Sequence, residues 1–368
     1  MRAGIVTING LYNYGNRLQN YAVTAYLKKL NVDAKTLISQ PMSFRWAMTE
    51  EELQYSKDKS SVSFTPAQLK RYNFKLFNED YIPYDLVKKR KFDKEVEQKY
   101  DKFVTGSDQV FNPLFRSSLG QMDNNFLMFS PPEKKVPFAP SIGMDSIPGK
   151  WTELFYHALT TFPMISVREQ SGANLIEKIT GRRAKVVIDP TLMIDRLSWE
   201  TIAKPLDGFD YSKPYILYYF LGDKDVEMPI DLKALLNSEK SKKGYRDVVL
   251  NDPLDESAAS AGPSEFLDLF MNASLIVTDS FHGAVFSLIF EKPFVTVKRI
   301  LRQGNENIDM SGRLNTLLTS LGLEDKLPKD EGFMTESIFA ADYNECYGKL
   351  RLLQNEHEAF LKKALGIK

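Results

Sequence analysis

The amino-acid sequence predicts an α/β protein of two Rossmann-like, doubly wound domains facing a cleft, closed by a helix at the carboxyl end. Three observations carry that expectation. The chain has 368 residues, and single hydrophobic cores stop growing beyond roughly 250–300 residues. Short apolar runs recur without internal alternation, as parallel strands covered by helices on both faces require. Each run stops in small or polar residues, where an open parallel sheet gathers its ligands.

Residues 3–7 form the first strand and 9–15 a loop. Leu18, Tyr21, Ala22, Ala25, Tyr26 and Leu30 then recur at helical spacing over 17–30. Strand, glycine-containing loop and helix open a doubly wound sheet. The charge-rich stretch 40–101, with Phe44, Trp46, Phe74 and Phe77, is expected to hold helices and long loops. Further strands are expected over 102–106, 136–139, 164–167 and 185–188, the third running into Arg168-Glu169 and a helix through residue 179. Two prolines and a glycine between residues 195 and 214 mark the boundary, giving a first domain over 1–200 and a second over 201–337. Strands over 215–220, 247–250, 275–278 and 294–297 and helices over 264–271 and 281–290 build the second domain. A charged helix over about 340–365 ends the chain, and residues 338–368 are expected to pack back across both domains. Two such domains across a cleft make the GT-B arrangement.

Composition narrows the function. Lys plus Arg total 48 and Asp plus Glu total 48, a formal net charge of zero. Such a balance gives no global steering of nucleic acid or of an anionic membrane, so any anion must be caught locally. Hydrophobic residues at 43% and charged residues at 26% are those of an ordered globular chain. The single cysteine, Cys346, excludes an intrachain disulfide and a cysteine-based metal cluster, and suits a reducing compartment. The first ten residues lack a signal peptide's apolar core and cleavage site, and no run approaches the ~20 apolar residues that span a bilayer. A cytoplasmic protein is expected, with at most peripheral contact at the inner face of a membrane.

Of the three histidines, His157 and His357 lie in helical stretches and read as solvated or packing residues. His282 stands in Thr278-Asp279-Ser280-Phe281-His282-Gly283, where a strand gives way to a helix. Two readings stay open: an imidazole aimed into a ligand cleft, or a capping loop with Asp279 or Ser280 as N-cap and His282 partly exposed. Backbone N–H groups and the helix dipole favour an anion there, beside a side chain that titrates near neutrality. Lys298, Arg299, Arg302 and Arg313 follow the next strand and would complete the charge, although each alone reads as solvated. In the first domain, Gly106-Ser107-Asp108-Gln109 offers hydroxyl, carboxylate and amide at a strand end, suited to sugar hydroxyls or to an Asx turn. Arg168-Glu169 is either an internal ion pair or an anion-binding arginine. G-x-G-x-x-G, the P-loop, HExxH and G-x-S-x-G are absent, which disfavours NAD and FAD.

Five elements in order, Asn13-Tyr-Gly-Asn16 with Gln19, Gly106 to Asn112, Ser166-Val-Arg-Glu169, Val187-Ile-Asp-Pro190 and Thr278 to Gly283, make the chain resemble the polysaccharide pyruvyl transferases over nearly its whole length. The resemblance implies transfer of a pyruvyl group from phosphoenolpyruvate to a sugar of a cell-surface polysaccharide or its lipid-linked precursor, giving a ketal. It implies no metal and no cofactor beyond the donor substrate. His282 would be the general acid, and Asp108 or Asp279 would accept the hydroxyl proton. Arg168, Lys298, Arg313 and the helix start at Ser280 and Gly283 would hold phosphate and carboxylate. Asn13, Gly15, Asn16, Gln19, Ser107 and Gln109 would complete the substrate contacts. One departure is visible: many members carry an arginine two positions before this histidine, and here that position is Ser280. A nucleotide-sugar glycosyltransferase of the same architecture and a non-catalytic saccharide-binding relative are the alternatives.

Overall fold

The computed structural model describes all residues except 41, 116–120, 223–227, 253–254, 304–305 and 328–338, and the side chains of 43–44, 301–303 and 306–308. The chain divides into two compact units. The first comprises Met1–Ser63, Phe74–Ile194 and Arg351–Lys368, the second Phe64–Asn73 and Asp195–Leu350.

The first unit is built on β1 (Arg2–Val6), β2 (Asp33–Ser39), β3 (Tyr84–Val87), β4 (Lys102–Thr105) and β5 (Lys135–Pro137). These form one sheet in the order β3-β2-β1-β4-β5, parallel throughout. Helix α1 (Tyr14–Lys29) crosses from β1 to β2. It starts inside the expected loop because the Asn13 side chain accepts the Asn16 amide at 3.1 Å, leaving Tyr14 to Asn16 as its first turn. Strands β2 and β3 escape the apolar-run criterion for different reasons. Asp33 is exposed and Lys35 half-exposed on β2, while β3 lies at the sheet edge with no side chain fully buried. Helix α2 (Pro66–Tyr81) gives its residues through Asn73 to the second unit and the rest to the first.

Helices α3 (Thr152–Thr160) and α4 (Gln170–Thr180) complete this half. The expected strands at 164–167 and 185–188 are shorter than the apolar runs, β6 (Ser166–Val167) and β7 (Lys185–Val186). They pair with each other in a separate two-stranded sheet and do not extend the main one. Phe103, Phe111, Phe126, Phe155 and Phe162 fill one core cluster, with the rings of Phe111 and Phe126 stacked at 4.5 Å. Burial of each such ring stabilises by roughly 1.5–3 kcal/mol.

The second unit repeats the plan with β8 (Tyr215–Tyr219), β9 (Arg246–Leu250), β10 (Leu275–Thr278) and β11 (Phe294–Thr296), in the order β11-β10-β8-β9 and again all parallel. Helices α5 (Ile230–Lys243), α6 (Pro263–Asn272) and α7 (Phe281–Ile289) serve these strands. An antiparallel hairpin, β12 (Ile300–Gln303) with β13 (Glu306–Asp309), and α8 (Gly312–Leu321) follow. The last helix, α9 (Asn344–Leu365), belongs to the first unit from Arg351 onward. Among the described residues no helix is long and apolar enough to cross a membrane.

Both sheets share a feature that places ligands. In the first, the chain moves outward from β1 through β2 to β3, then returns to the other side of β1 as β4. In the second, β8 is flanked by β9 and then, on its other side, by β10. The carboxyl ends of β1 and β4, and of β8 and β10, are therefore topological switch points, where open α/β sheets form their binding crevices.

Candidate functional site

At the first crevice, β4 runs into Gly106, whose φ of +117° and whose missing Cβ, 2.3 Å from the Phe138 carbonyl oxygen, demand glycine. Asp108 follows with φ 65°, a left-handed conformation uncommon outside glycine and typical of functional turns. Its carboxylate is held from two sides. Oδ1 accepts from Arg168 Nη2 at 3.1 Å, and Oδ2 accepts from the Asn16 side-chain amide. The Arg168 Nη1 group pairs with Asp189, and Asp189 Oδ2 lies 2.9 Å from the Ser107 hydroxyl. Ser107 N donates to Gln19 Oε1 at 2.8 Å. Gln19 Nε2 donates to the Asn16 carbonyl at 2.9 Å and to Thr7 Oγ1 at 2.8 Å. Asn16, Asp108, Arg168, Asp189, Ser107 and Gln19 thus close a ring of hydrogen bonds at the switch point.

Of the residues expected here, Asn13, Gly15, Asn16, Gln19, Ser107, Asp108 and Arg168 come together, with Asn13 acting through its cap and Gly15 buried in the first turn of α1. Gln109 is buried next to them and accepts from Asn112 Nδ2 at 2.7 Å. Both terminal nitrogens of Arg168 are paired with carboxylates, those of Asp108 and Asp189. Glu169 serves the backbone, accepting the Ile142 and Gly143 amides at 2.8 and 2.9 Å. Two residues escaped sequence reasoning. Asp189 stands in Val187–Pro190, and the signal was a strand-end acid before Pro-Thr that caps its own turn, accepting the Thr191 amide at 3.0 Å. Arg17 is a cation in a helix's first turn, where acids are favoured.

At the second crevice, Asp279 is buried and its two carboxylate oxygens accept the Leu221 and Gly222 amides, each at 2.7 Å. Burial pushes this carboxyl above its ordinary range, while the two amides and Arg299 oppose the shift. These two bonds tie the loop after β8 to the end of β10. Ser280 is the N-cap of α7, its hydroxyl accepting the Gly283 amide at 3.3 Å. The Thr278 hydroxyl accepts Ser280 N at 3.0 Å and donates to the Tyr219 carbonyl at 2.6 Å. A Cβ on Gly283 would stand 2.2 Å from that hydroxyl oxygen, so only glycine allows this approach of helix to strand. His282, the second residue of α7, is 5% exposed, buried where partial exposure was one expectation.

The cations after β11 separate. Lys298 is exposed, and Arg313 is buried in the first turn of α8 instead of lying in a loop. Arg299 is half-buried beside Asp279, with its amide bonded to Ser311 Oγ at 3.0 Å and its Nε buried without a hydrogen-bond partner. The Arg302 side chain lies outside the described residues. Among the described residues no group of three or more His, Cys, Asp or Glu side chains is gathered to hold a metal ion.

The family model described as polysaccharide pyruvyl transferase matches residues 13–299. The matched span opens at the N-cap of α1 and closes at Arg299, so it takes in both crevices. No curated protein matches the chain. Similar solved structures include UDP-GlcNAc 2-epimerase from Neisseria meningitidis bound to UDP-GlcNAc, 12% identical over 98% of this chain and 100% of that one, with a TM-score of 0.45. The UDP-GlcNAc 2-epimerase of Methanocaldococcus jannaschii in complex with UDP-GlcNAc and UDP is 15% identical over 96% of this chain and 100% of that one, with a TM-score of 0.42. The E. coli heptosyltransferase WaaC with ADP is 11% identical over 81% of this chain and 87% of that one, with a TM-score of 0.35. Likenesses at that level place no chemistry on this chain; the parallel sheets of the two units themselves establish its α/β, Rossmann-like class.

Proposed function

The chain belongs to the polysaccharide pyruvyl transferase family, and we propose from that premise that it moves a pyruvyl unit from phosphoenolpyruvate to a sugar of a cell-surface polysaccharide or its lipid-linked precursor, forming a cyclic ketal. One observation carries the reading: within the matched span, an imidazole stands in the first turn of α7 at the second switch point, fixed by a serine cap and a glycine that no side chain can replace.

The chemistry asks for one proton donor and an anion-tolerant surrounding. His282, protonated, gives its proton to the methylene carbon of phosphoenolpyruvate. The π electrons form the new C–H bond and leave C2 an oxocarbenium centre. A sugar hydroxyl oxygen bonds to C2 and returns its proton to the imidazole. The C2–O bond to phosphate then breaks with its electron pair, and a second hydroxyl closes the ring at C2, its proton leaving on the phosphate. This scheme calls for neither metal nor cofactor. The α7 start and Arg299 are the groups of the second unit that favour the phosphate. The hydroxyl, amide and carboxylate groups of the first crevice are of the kind that recognise sugar hydroxyls.

The test is His282→Ala beside His282→Asn, with ketal formation followed by NMR, phosphate release by a coupled assay and donor binding by calorimetry. Product formation is expected to vanish while phosphoenolpyruvate binding weakens by about tenfold or less, because the imidazolium serves the methylene carbon and the α7 start and Arg299 still favour the phosphate. Turnover retained in either variant removes His282 from the acid role. Saturable binding of a nucleotide sugar alone by the unaltered protein overturns the donor.

A further inference from the structure

Arg17 lies in the first turn of α1, fully buried, with its Nη2 group donating to the Ile8 carbonyl in the loop that leaves β1. Its Nε and Nη1 atoms are buried without a hydrogen-bond partner. The guanidinium carbon sits 5.0 Å from the centre of the Trp46 ring, a cation–π contact that shields one face without satisfying the in-plane donors. Two other buried cations of this unit hold carboxylates, Arg168 with Asp108 and Asp189 and Lys75 with Glu52 at 2.7 Å, and a third, Lys135, donates to the Thr161 hydroxyl at 2.7 Å. Asp108 attracts Arg17 through space, but its two oxygens are engaged by Arg168 and Asn16. Burial pulls the Arg17 guanidinium down to about 9, with Asp108 opposing.

Each circumstance counts against a purely structural arginine. A buried cation without an acid is destabilising, the positive end of a helix dipole repels it further, and a methionine of similar length would fill the same space without either cost. We infer that Arg17 is an oxyanion-binding residue of the first crevice, taking a phosphate or carboxylate group of a small substrate. Unpartnered in-plane donors, the amino end of a 16-residue helix and the β1/β4 switch point converge on that ligand chemistry. Since the two free nitrogens have no exposed surface, the side chains around them must shift to admit the anion, and the Trp46 ring, 5.0 Å from the guanidinium carbon, reports that shift. The inference is independent of the donor's identity.

The experiment uses the full chain, with inorganic phosphate, phosphoenolpyruvate and glucuronate as separate probes. Thermal unfolding and tryptophan fluorescence are read for the unaltered protein, Arg17→Met and Arg17→Lys. At least one probe is expected to raise the melting temperature of the unaltered protein by mass action and to change its tryptophan emission. In Arg17→Met the probe-free melting temperature is expected to hold or rise, while affinity for the stabilising probe falls at least about tenfold, the loss of a charge-assisted hydrogen bond. Arg17→Lys keeps the charge and loses part of the affinity, and it decides the matter if the methionine variant does not fold. An unaltered protein that responds to none of the three anions, or variants that respond as it does, overturns the inference. Response to glucuronate or phosphate without phosphoenolpyruvate supports the oxyanion site and removes the proposed donor.

Discussion

His357 offers the cleanest quantitative test of how this chain is put together. It lies on α9, 1% exposed, with its ring edge-on to Phe138 at 5.1 Å, and neither ring nitrogen has a hydrogen-bond partner. Burial drives its pKa from 6.5 down to about 3, only the charge of Asp189 opposing. The folded chain therefore keeps a neutral imidazole where the unfolded chain binds a proton. Stability from this residue is complete above pH 6.5 and is lost as pH falls toward 3, because the unfolded state then holds one more proton. At about 1.36 kcal/mol per pH unit, the loss between pH 6.5 and pH 5 is about 2 kcal/mol. For a unit of about 200 residues that corresponds to roughly 4–8 °C in Tm. His357→Phe keeps the aromatic contact and removes the titration. Urea unfolding at pH 5, 6 and 7, followed by the fluorescence of Trp46 and Trp151 in the first unit, should show the variant gaining about 2 kcal/mol on the unaltered protein as pH falls from 7 to 5. A stability difference that stays constant across that range refutes the reasoning.

Asp189→Ala strips Arg168 of one carboxylate and the Ser107 hydroxyl of a neighbour, so it should destabilise by about 3–5 kcal/mol. Asp189→Asn keeps an acceptor and should cost about 1–3 kcal/mol, a ranking that denaturant midpoints will check. Gly283→Ala forces a methyl group against Thr278 Oγ1 and should cost about 1–3 kcal/mol by overpacking. Because the displaced turn carries His282, transferase activity should fall further than that stability loss explains, which activity assays well below the melting transition will show.

The parts of the fold legible in the sequence were those governed by local pattern. The buried central strands β1, β4, β8 and β10 announce themselves as apolar runs that end in small polar residues. Strand β2 hides because Asp33 and Lys35 interrupt its run, and its place in the sheet is decided by pairing with β1, a non-local contact. The separate sheet of β6 and β7 is invisible for the same reason, since an apolar run does not say which neighbour it joins. Among site residues, Ser280 was legible as a cap because the serine chemistry is local. The backbone partners of Asp279 were not legible, because Leu221 and Gly222 lie 58 and 57 residues away. Asp189 carries no local mark of its pairing with an arginine 21 residues before it.

The strongest argument that the two crevices are working sites comes from what a stable protein would avoid. Buried ion pairs seldom stabilise more than well-packed apolar residues of the same volume, yet the first crevice gathers Arg17, Arg168, Asp108 and Asp189, all at most 7% exposed. Asp108 adds a left-handed backbone that a β-branched residue rarely adopts. The second crevice holds a buried carboxylate and a buried imidazole within one strand-to-helix turn. Departures from local consistency concentrate where function requires them, and here they fall at the corresponding topological position of both sheets. Replacing Asp108, Arg168 and Asp189 together by Asn, Met and Asn removes the whole buried ion network, because Arg168 is shared by both carboxylates. If the crevice exists for substrate, the triple variant should unfold within about 2 kcal/mol of the unaltered protein and have no transferase activity. A triple variant that keeps its activity would mean that these charges serve the fold alone.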